Sequence, residues 1–239
     1  MIKFFRKIRQ QLLNENKFSK YLLYAIGEIV LVVIGILIAL SINNQNELRK
    51  RDLLETFVLK QLKKNLIDDI YDMDLNINLH KKAIVSSKII SKVIENQLPF
   101  HDSLASHFSR IPIVPNFLET RTAYDNIKNA GTSLIKNDSL RDKIIALYER
   151  DYVFLKRFVE KENNNFLQDL HGLYRTEFSH LEIFGKSYPV NFEKLVENQE
   201  YINYVNHQVT FCEFTLGWYY DSKDAAEKLI EMVKLELDE

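Results

Sequence analysis

Residues 21–42 read YLLYAIGEIVLVVIGILIALSI, an apolar run interrupted by a single charged side chain, Glu28. As a helix it is long enough to cross the roughly 30 Å hydrocarbon core of a bilayer. The chain therefore reads as membrane-anchored: a basic tail over 1–20, a transmembrane helix over 21–43 and a soluble domain over 44–239. A cleaved secretory signal would have an apolar core of about 7–15 residues ending in a small-x-small pattern. Here the run follows twenty residues of tail and leads into Asn43, Asn44, Gln45 and Asn46, so it is read as an uncleaved signal-anchor.

Orientation follows from basic residues close to the span. The tail carries Lys3, Arg6, Lys7, Arg9, Lys17 and Lys20 against one acid, Glu15. Beyond the span, Arg49, Lys50 and Arg51 stand farther off and mix with Glu47, Asp52 and Glu55. Because Lys17 and Lys20 abut the apolar run, the expected topology is an N-terminus in the cytoplasm and the C-terminal domain outside the inner membrane. The stretch IKFFRKIRQQLL, at 2–13, interleaves basic and apolar residues. It reads equally as a surface-lying amphipathic helix or as a tail serving topology alone.

The soluble part is large enough to bury a core, and 12% of the whole chain is aromatic. A net charge of −1 gives no field to draw nucleic acid, so no nucleic-acid partner is expected. Cys212 is the only cysteine, which excludes a disulfide framework. All four prolines fall near 98–116 and 181–191, leaving the rest free to run as helix. Leu62, Leu66, Ile70, Met73, Ile77 and Ile84 recur at three- and four-residue steps, the stripe of an amphipathic helix that is expected to continue the membrane helix as a stalk. A second stripe, Leu140, Ile144, Tyr148, Leu155, Val159, Phe166, Leu170 and Leu173, follows a start capped by Asn137 or Asp138. A third covers 198–236 with Ile202, Val205, Val209, Cys212, Leu216, Tyr219, Ile230 and Val233. A shorter helix before the second closes at Gly131. Strand alternation is nowhere sustained, so the fold class is all-α: a single N-terminal transmembrane helix continuing into an antiparallel bundle of three to four long helices.

Two stretches, KFSKYLLYAIGEIVLVVIGILIALSINNQNE at 17–47 and TRTAYDNIKNAGTSLIKNDSLRDKIIALYE at 120–149, resemble a Gram-negative bacterial family of single-span membrane proteins classified only as a domain of unknown function. The resemblance covers nearly the whole chain. It implies architecture and supplies no catalytic residue, cofactor or partner.

Within the span, Glu28, Gly35 and Ala39 lie at i, i+7 and i+11 and so share one helix face. Gly35-x-x-x-Ala39 is a small-xxx-small pair of the kind that lets helices approach closely. The bland reading places Glu28 at the cytoplasmic headgroup boundary, near Lys20 or Tyr24. The sharper one makes the face a contact with a second copy or another membrane protein, beside the lipid bilayer itself. In the soluble part, Arg121, Tyr124 and Lys128 form a helix face able to meet an anionic group of a ligand or partner, against the simpler reading of NIKNAGTSLIKND (126–138) as turn and capping chemistry. The aromatic residues Phe211, Phe214, Trp218, Tyr219 and Tyr220 read as bundle core.

Catalytic patterns are missing: no HExxH, no paired cysteines, no GxSxG, no glycine-rich phosphate loop. The pairs His101 with His107 and His171 with His180 have spacings unsuited to one helical face, so no metal and no cofactor is expected. The chain is not expected to be an enzyme. The functional expectation is an interaction or scaffold module of the bacterial inner membrane. The alternative is a sensor-like module binding a small ligand between helices, in a polar cavity lined by Arg121, Tyr124 and His171.

Overall fold

The computed structural model describes residues 18–182 and 184–238. One helix, α1, runs Phe18–Glu95. A 3-10 turn (Asp102–Leu104) leads into α2 (Ala105–Phe108), and an irregular stretch then reaches α3 (Thr122–Ala130). A second 3-10 turn (Thr132–Leu134) precedes α4 (Asp138–Ala146), which passes through one π-helical turn (Leu147–Asp151) into α5 (Tyr152–Glu177). A hairpin of β1 (Phe178–Leu181) and β2 (Ser187–Pro189), then α6 (Phe192–Glu197) and α7 (Gln199–Glu236), complete the order. The described chain is thus all-α but for that hairpin. It divides into two compact units between Leu54 and Glu55.

In the first unit α1 carries the apolar run, long and apolar enough to cross a membrane and with none of its most apolar window buried. A surface this apolar is stable only against lipid or another apolar face, since exposing it to water costs about 25 cal/mol per Å². Residues 1–17, which hold the expected amphipathic stretch and most of the basic tail, lie outside the described residues.

The second unit is a bundle. On α1 the residues Leu59, Leu62, Leu66, Asp69, Met73, Asn76, His80, Ala83, Ser87 and Ile90 are all buried, at steps alternating between three and four. That spacing keeps one face turned toward its neighbours. Helix α7 packs antiparallel on it, as cross-helix pairs show: Lys223 Nζ to Asp74 at 2.6 Å, Lys88 Nζ to Glu213 at 2.6 Å and Ser91 Oγ to Asn206 at 3.2 Å. One core joins α1 near Leu62 and Met73 to α3, α4, the start of α5 and the end of α7. A second joins Ile90 and Val93 to Phe108, Phe178, Phe192 and Tyr201, and a small third joins Ala83 to Phe211 and Cys212.

Local chemistry explains the element ends. Asn137 Oδ1 accepts the Leu140 amide at 3.1 Å and caps α4. Asn198 does the same for α7. Gly131, at φ 88°, ends α3 in a conformation that side chains resist.

Three sequence expectations change. The hairpin, with His180 opposite Tyr188 and Leu181 opposite Ser187, sits where no strand was expected, because strands this short cannot show alternation. The second helical stretch is split by the π turn. Of the five aromatics assigned to the core, only Phe211 and Tyr219 are buried, while Phe214 is 53% exposed and Tyr220 44%.

Candidate functional site

The polar members of the α1 seam hold the irregular segment that leads into α3. Asn76 Nδ2 donates to the Asn116 carbonyl at 3.2 Å, and Asp72 Oδ2 accepts the Leu118 amide at 3.1 Å. Asp69 Oδ1 accepts the Thr120 amide at 2.7 Å. Asn65 Oδ1 accepts both the Ala123 amide at 2.9 Å and the Thr122 hydroxyl at 3.0 Å. Steps of three and four residues along a helix rise about 4.5–6 Å, near the roughly 6.6 Å of two residues in an extended chain. Helix side chains at 69, 72 and 76 can therefore serve the alternate backbone positions 120, 118 and 116 of the irregular segment, while Asn65 holds the start of α3.

This splint presses a cluster of charges and phenols against α4, the π turn and α5. Tyr124 and Tyr148 stack at 4.6 Å, and Tyr148 meets Tyr152 edge-on at 5.2 Å. Glu149, on the π turn, accepts from the Tyr124 hydroxyl at 2.9 Å and from Lys128 Nζ at 3.0 Å, with Arg121 Nη2 at 3.4 Å. Those hydrogen bonds hold its carboxyl below the usual range, while burial beside that carboxylate pushes the Tyr124 phenol up to about 12. Arg121 also lies 5.2 Å over the Tyr124 ring. Glu119, its side chain 5% exposed, takes Arg121 Nη1 at 3.1 Å and Lys156 Nζ at 3.0 Å. Beneath them Asp69 is fully buried. Desolvation raises its pKa to about 6 despite the Thr120 hydrogen bond. Its Oδ2 and the nearby Tyr152 hydroxyl are both buried without a hydrogen bond of good geometry.

Arg121, Tyr124 and Lys128 are thus brought together, as their spacing suggested, and the anion they hold is the chain's own Glu149. The cluster has the chemistry of a brace: protonated phenols donate and paired carboxylates accept. His171, the third residue of the expected polar cavity, has a side chain outside the described residues.

The remaining sequence candidates are dispersed. Glu28, Gly35 and Ala39 lie on the apolar segment of α1, and a Cβ added at Gly35 would meet nothing within 4 Å. His101 caps the first 3-10 turn by accepting the Ser103 amide at 3.2 Å, and His107 Nδ1 sits 3.1 Å from Ser86 Oγ. His180 is exposed on β1. His80 Nδ1 is 3.4 Å from Cys212 Sγ in the interior. Burial lowers the His80 pKa to about 4 and raises that of the thiol to about 12, so both are neutral and the thiol is inert.

An aromatic cleft lies between α7 and the π turn with α5. A cavity of about 420 Å³ is lined by Arg150, Asp151, Phe154, Trp218, Asp221 and Ser222. Phe154 and Trp218 stand 4.3 Å apart, and Phe214 bridges Trp218 at 6.1 Å to Phe158 at 4.9 Å. Phe154 is 48% exposed. Sequence reasoning saw Trp218 and Phe214 but assigned them inward, and it missed Phe154 and Phe158 altogether. It also missed Glu149, Glu119, Lys156 and Asp69. The i, i+4 repeat of Phe154 and Phe158, matched by that of Phe214 and Trp218, was the available signal for the cleft.

A family model described as "Family of unknown function (DUF6090)" matches residues 28–212, from Glu28 in the apolar run through the splint and brace to Cys212. Neither a curated protein nor a solved structure matches the chain.

Proposed function

The chain belongs to DUF6090, a family of unknown function, and on that footing we propose that it is a membrane-anchored interaction module. The apolar segment of α1 is its signal-anchor in the bacterial inner membrane, with the N-terminus cytoplasmic and the unit from Glu55 onward periplasmic. Lys17 and Lys20 next to the apolar run support that orientation. The helical unit holds a partner protein, and the face of Glu28, Gly35 and Ala39 packs against a second span, from another copy or from the partner. No reaction is assigned to it.

The observation that carries this reading is the aromatic cleft. Phe154, Phe214 and Trp218 crowd together at the surface, and contiguous exposed aromatics mark places where proteins meet. The cationic face of Arg121 and Lys128, by contrast, is already occupied by Glu149. The test is the mass of the full chain extracted from its native membranes in nonionic detergent, measured by light scattering after size exclusion. The expected result is an assembly heavier than the 28.3 kDa chain, reduced by Trp218→Ala and by Gly35→Leu with Ala39→Leu. A wild-type monomer, unchanged by either variant, would remove the reading.

A further inference from the structure

A second cavity, of about 220 Å³, lies on different elements: Leu79 and Lys82 from α1, Arg110 and Ile113 from the turn after α2, and Phe184 from the turn between β1 and β2. Two cations line it. Elsewhere in the second unit Lys88, Lys186 and Lys223 are taken up by carboxylates, those of Glu213, Asp102 and Asp74. Among the described residues neither Lys82 nor Arg110 has an acid partner, yet both line the same hollow. Glu182, in the hairpin turn, points back to the Lys186 amide.

The walls are held in place. Ser109 Oγ donates to the Gly185 carbonyl at 2.8 Å, tying the turn after α2 to the hairpin turn. Asp102 receives Lys186 Nζ at 2.7 Å and the Tyr188 hydroxyl at 2.9 Å, fixing the hairpin to the first 3-10 turn. Phe184 sits at φ 63°, a left-handed conformation that costs a bulky residue about 1–2 kcal/mol per residue. Its ring stays 62% exposed beside the cavity. Two unpaired cations over apolar walls form a site for a molecule with one anionic end and one apolar body. An arginine fork and a lysine point charge together suit a carboxylate.

We propose that this cavity binds a small organic carboxylate, its apolar body against Leu79, Ile113 and Phe184 and its carboxylate shared by Lys82 and Arg110. The site shares no residue with the aromatic cleft and stands independently of the interaction reading. The test is isothermal titration calorimetry on the full chain in nonionic detergent, with benzoate as probe and benzyl alcohol and inorganic phosphate as controls. Benzoate should bind saturably at one site, with the uncharged alcohol and the body-less phosphate each at least about tenfold weaker. Lys82→Gln, on an exposed helix position, should leave the thermal midpoint in place and weaken benzoate about tenfold or more, and Arg110→Gln should do the same. Absence of saturable binding up to about 10 mM, or benzoate affinity untouched by Lys82→Gln, would overturn the proposal. Phosphate binding as tightly as benzoate would overturn the ligand class.

Discussion

Asp69 and His80 are buried one above the other on the same seam of α1, and their linkages to pH oppose each other. Asp69 has a folded pKa of about 6 against an ordinary 3.8, because burial disfavours its charge. Its folded form binds a proton more tightly than the unfolded chain does. It therefore contributes stability that is fully present below about pH 4 and is lost as pH rises through about 6. His80 has a folded pKa of about 4 against 6.5, again through burial. Its contribution is fully present above about 6.5 and is lost as pH falls through about 4. At 1.36 kcal/mol per unit each shift corresponds to about 3 kcal/mol, so between pH 4 and 6 the two slopes nearly cancel. Asp69→Asn removes one of them and keeps the oxygen that accepts the Thr120 amide. Urea unfolding of the full chain in nonionic detergent, followed by far-ultraviolet circular dichroism from pH 4 to pH 8, gives the variant-minus-wild-type difference, in which all other titrations drop out. That difference should move in favour of Asp69→Asn by about 2–3 kcal/mol from pH 4 to pH 8. With His80→Gln it should move in favour of the variant as pH falls over the same range. A difference that stays constant with pH for Asp69→Asn refutes the argument, because a carboxyl titrating alike in folded and unfolded chains carries no such linkage.

Other variants probe the splint and the brace. Asn65→Ala strands the Ala123 amide in the interior and should cost about 1–3 kcal/mol by urea unfolding. Replacing Arg121 and Lys156 together by Met leaves the buried Glu119 carboxylate unpaired. It should cost about 3–5 kcal/mol, well above Glu119→Gln, whose former cations can reach water. Gly131→Ala forces a Cβ into φ 88° and should cost about 1–2 kcal/mol without changing helix content by circular dichroism.

The parts of the fold set by apolar periodicity were legible. Leu62, Leu66, Met73 and Ile77 turn inward as their spacing requires, and Asn137 and Gly131 bound the helices they were expected to bound. The seam between them was half read, because Asp69, Asn76, His80 and Ser87 occupy buried positions in the same rhythm and hydrophobicity alone passes over them. The role of Asp69 and Asn76 depends on a segment 40 to 51 residues away that needs hydrogen-bond partners, and no local pattern announces it. Arg121, Tyr124 and Lys128 were recognisable as a face, but Glu149 comes to them from the π turn, whose extra residue leaves no mark in composition. The aromatic run was misassigned through angle. Thr215 is buried, and each residue turns the helix by 100°, so Phe214 faces outward whatever its hydrophobicity.

The most direct test of a membrane-anchored interaction module is photocrosslinking in native membranes, with a photoreactive residue at Phe214 in one sample and at Gly35 in another. Mass spectrometry then identifies each adduct. The account predicts a defined protein adduct at Phe214 that disappears in a Trp218→Ala background, together with a second span captured at Gly35. No protein at Phe214 and only lipid at Gly35 would contradict it.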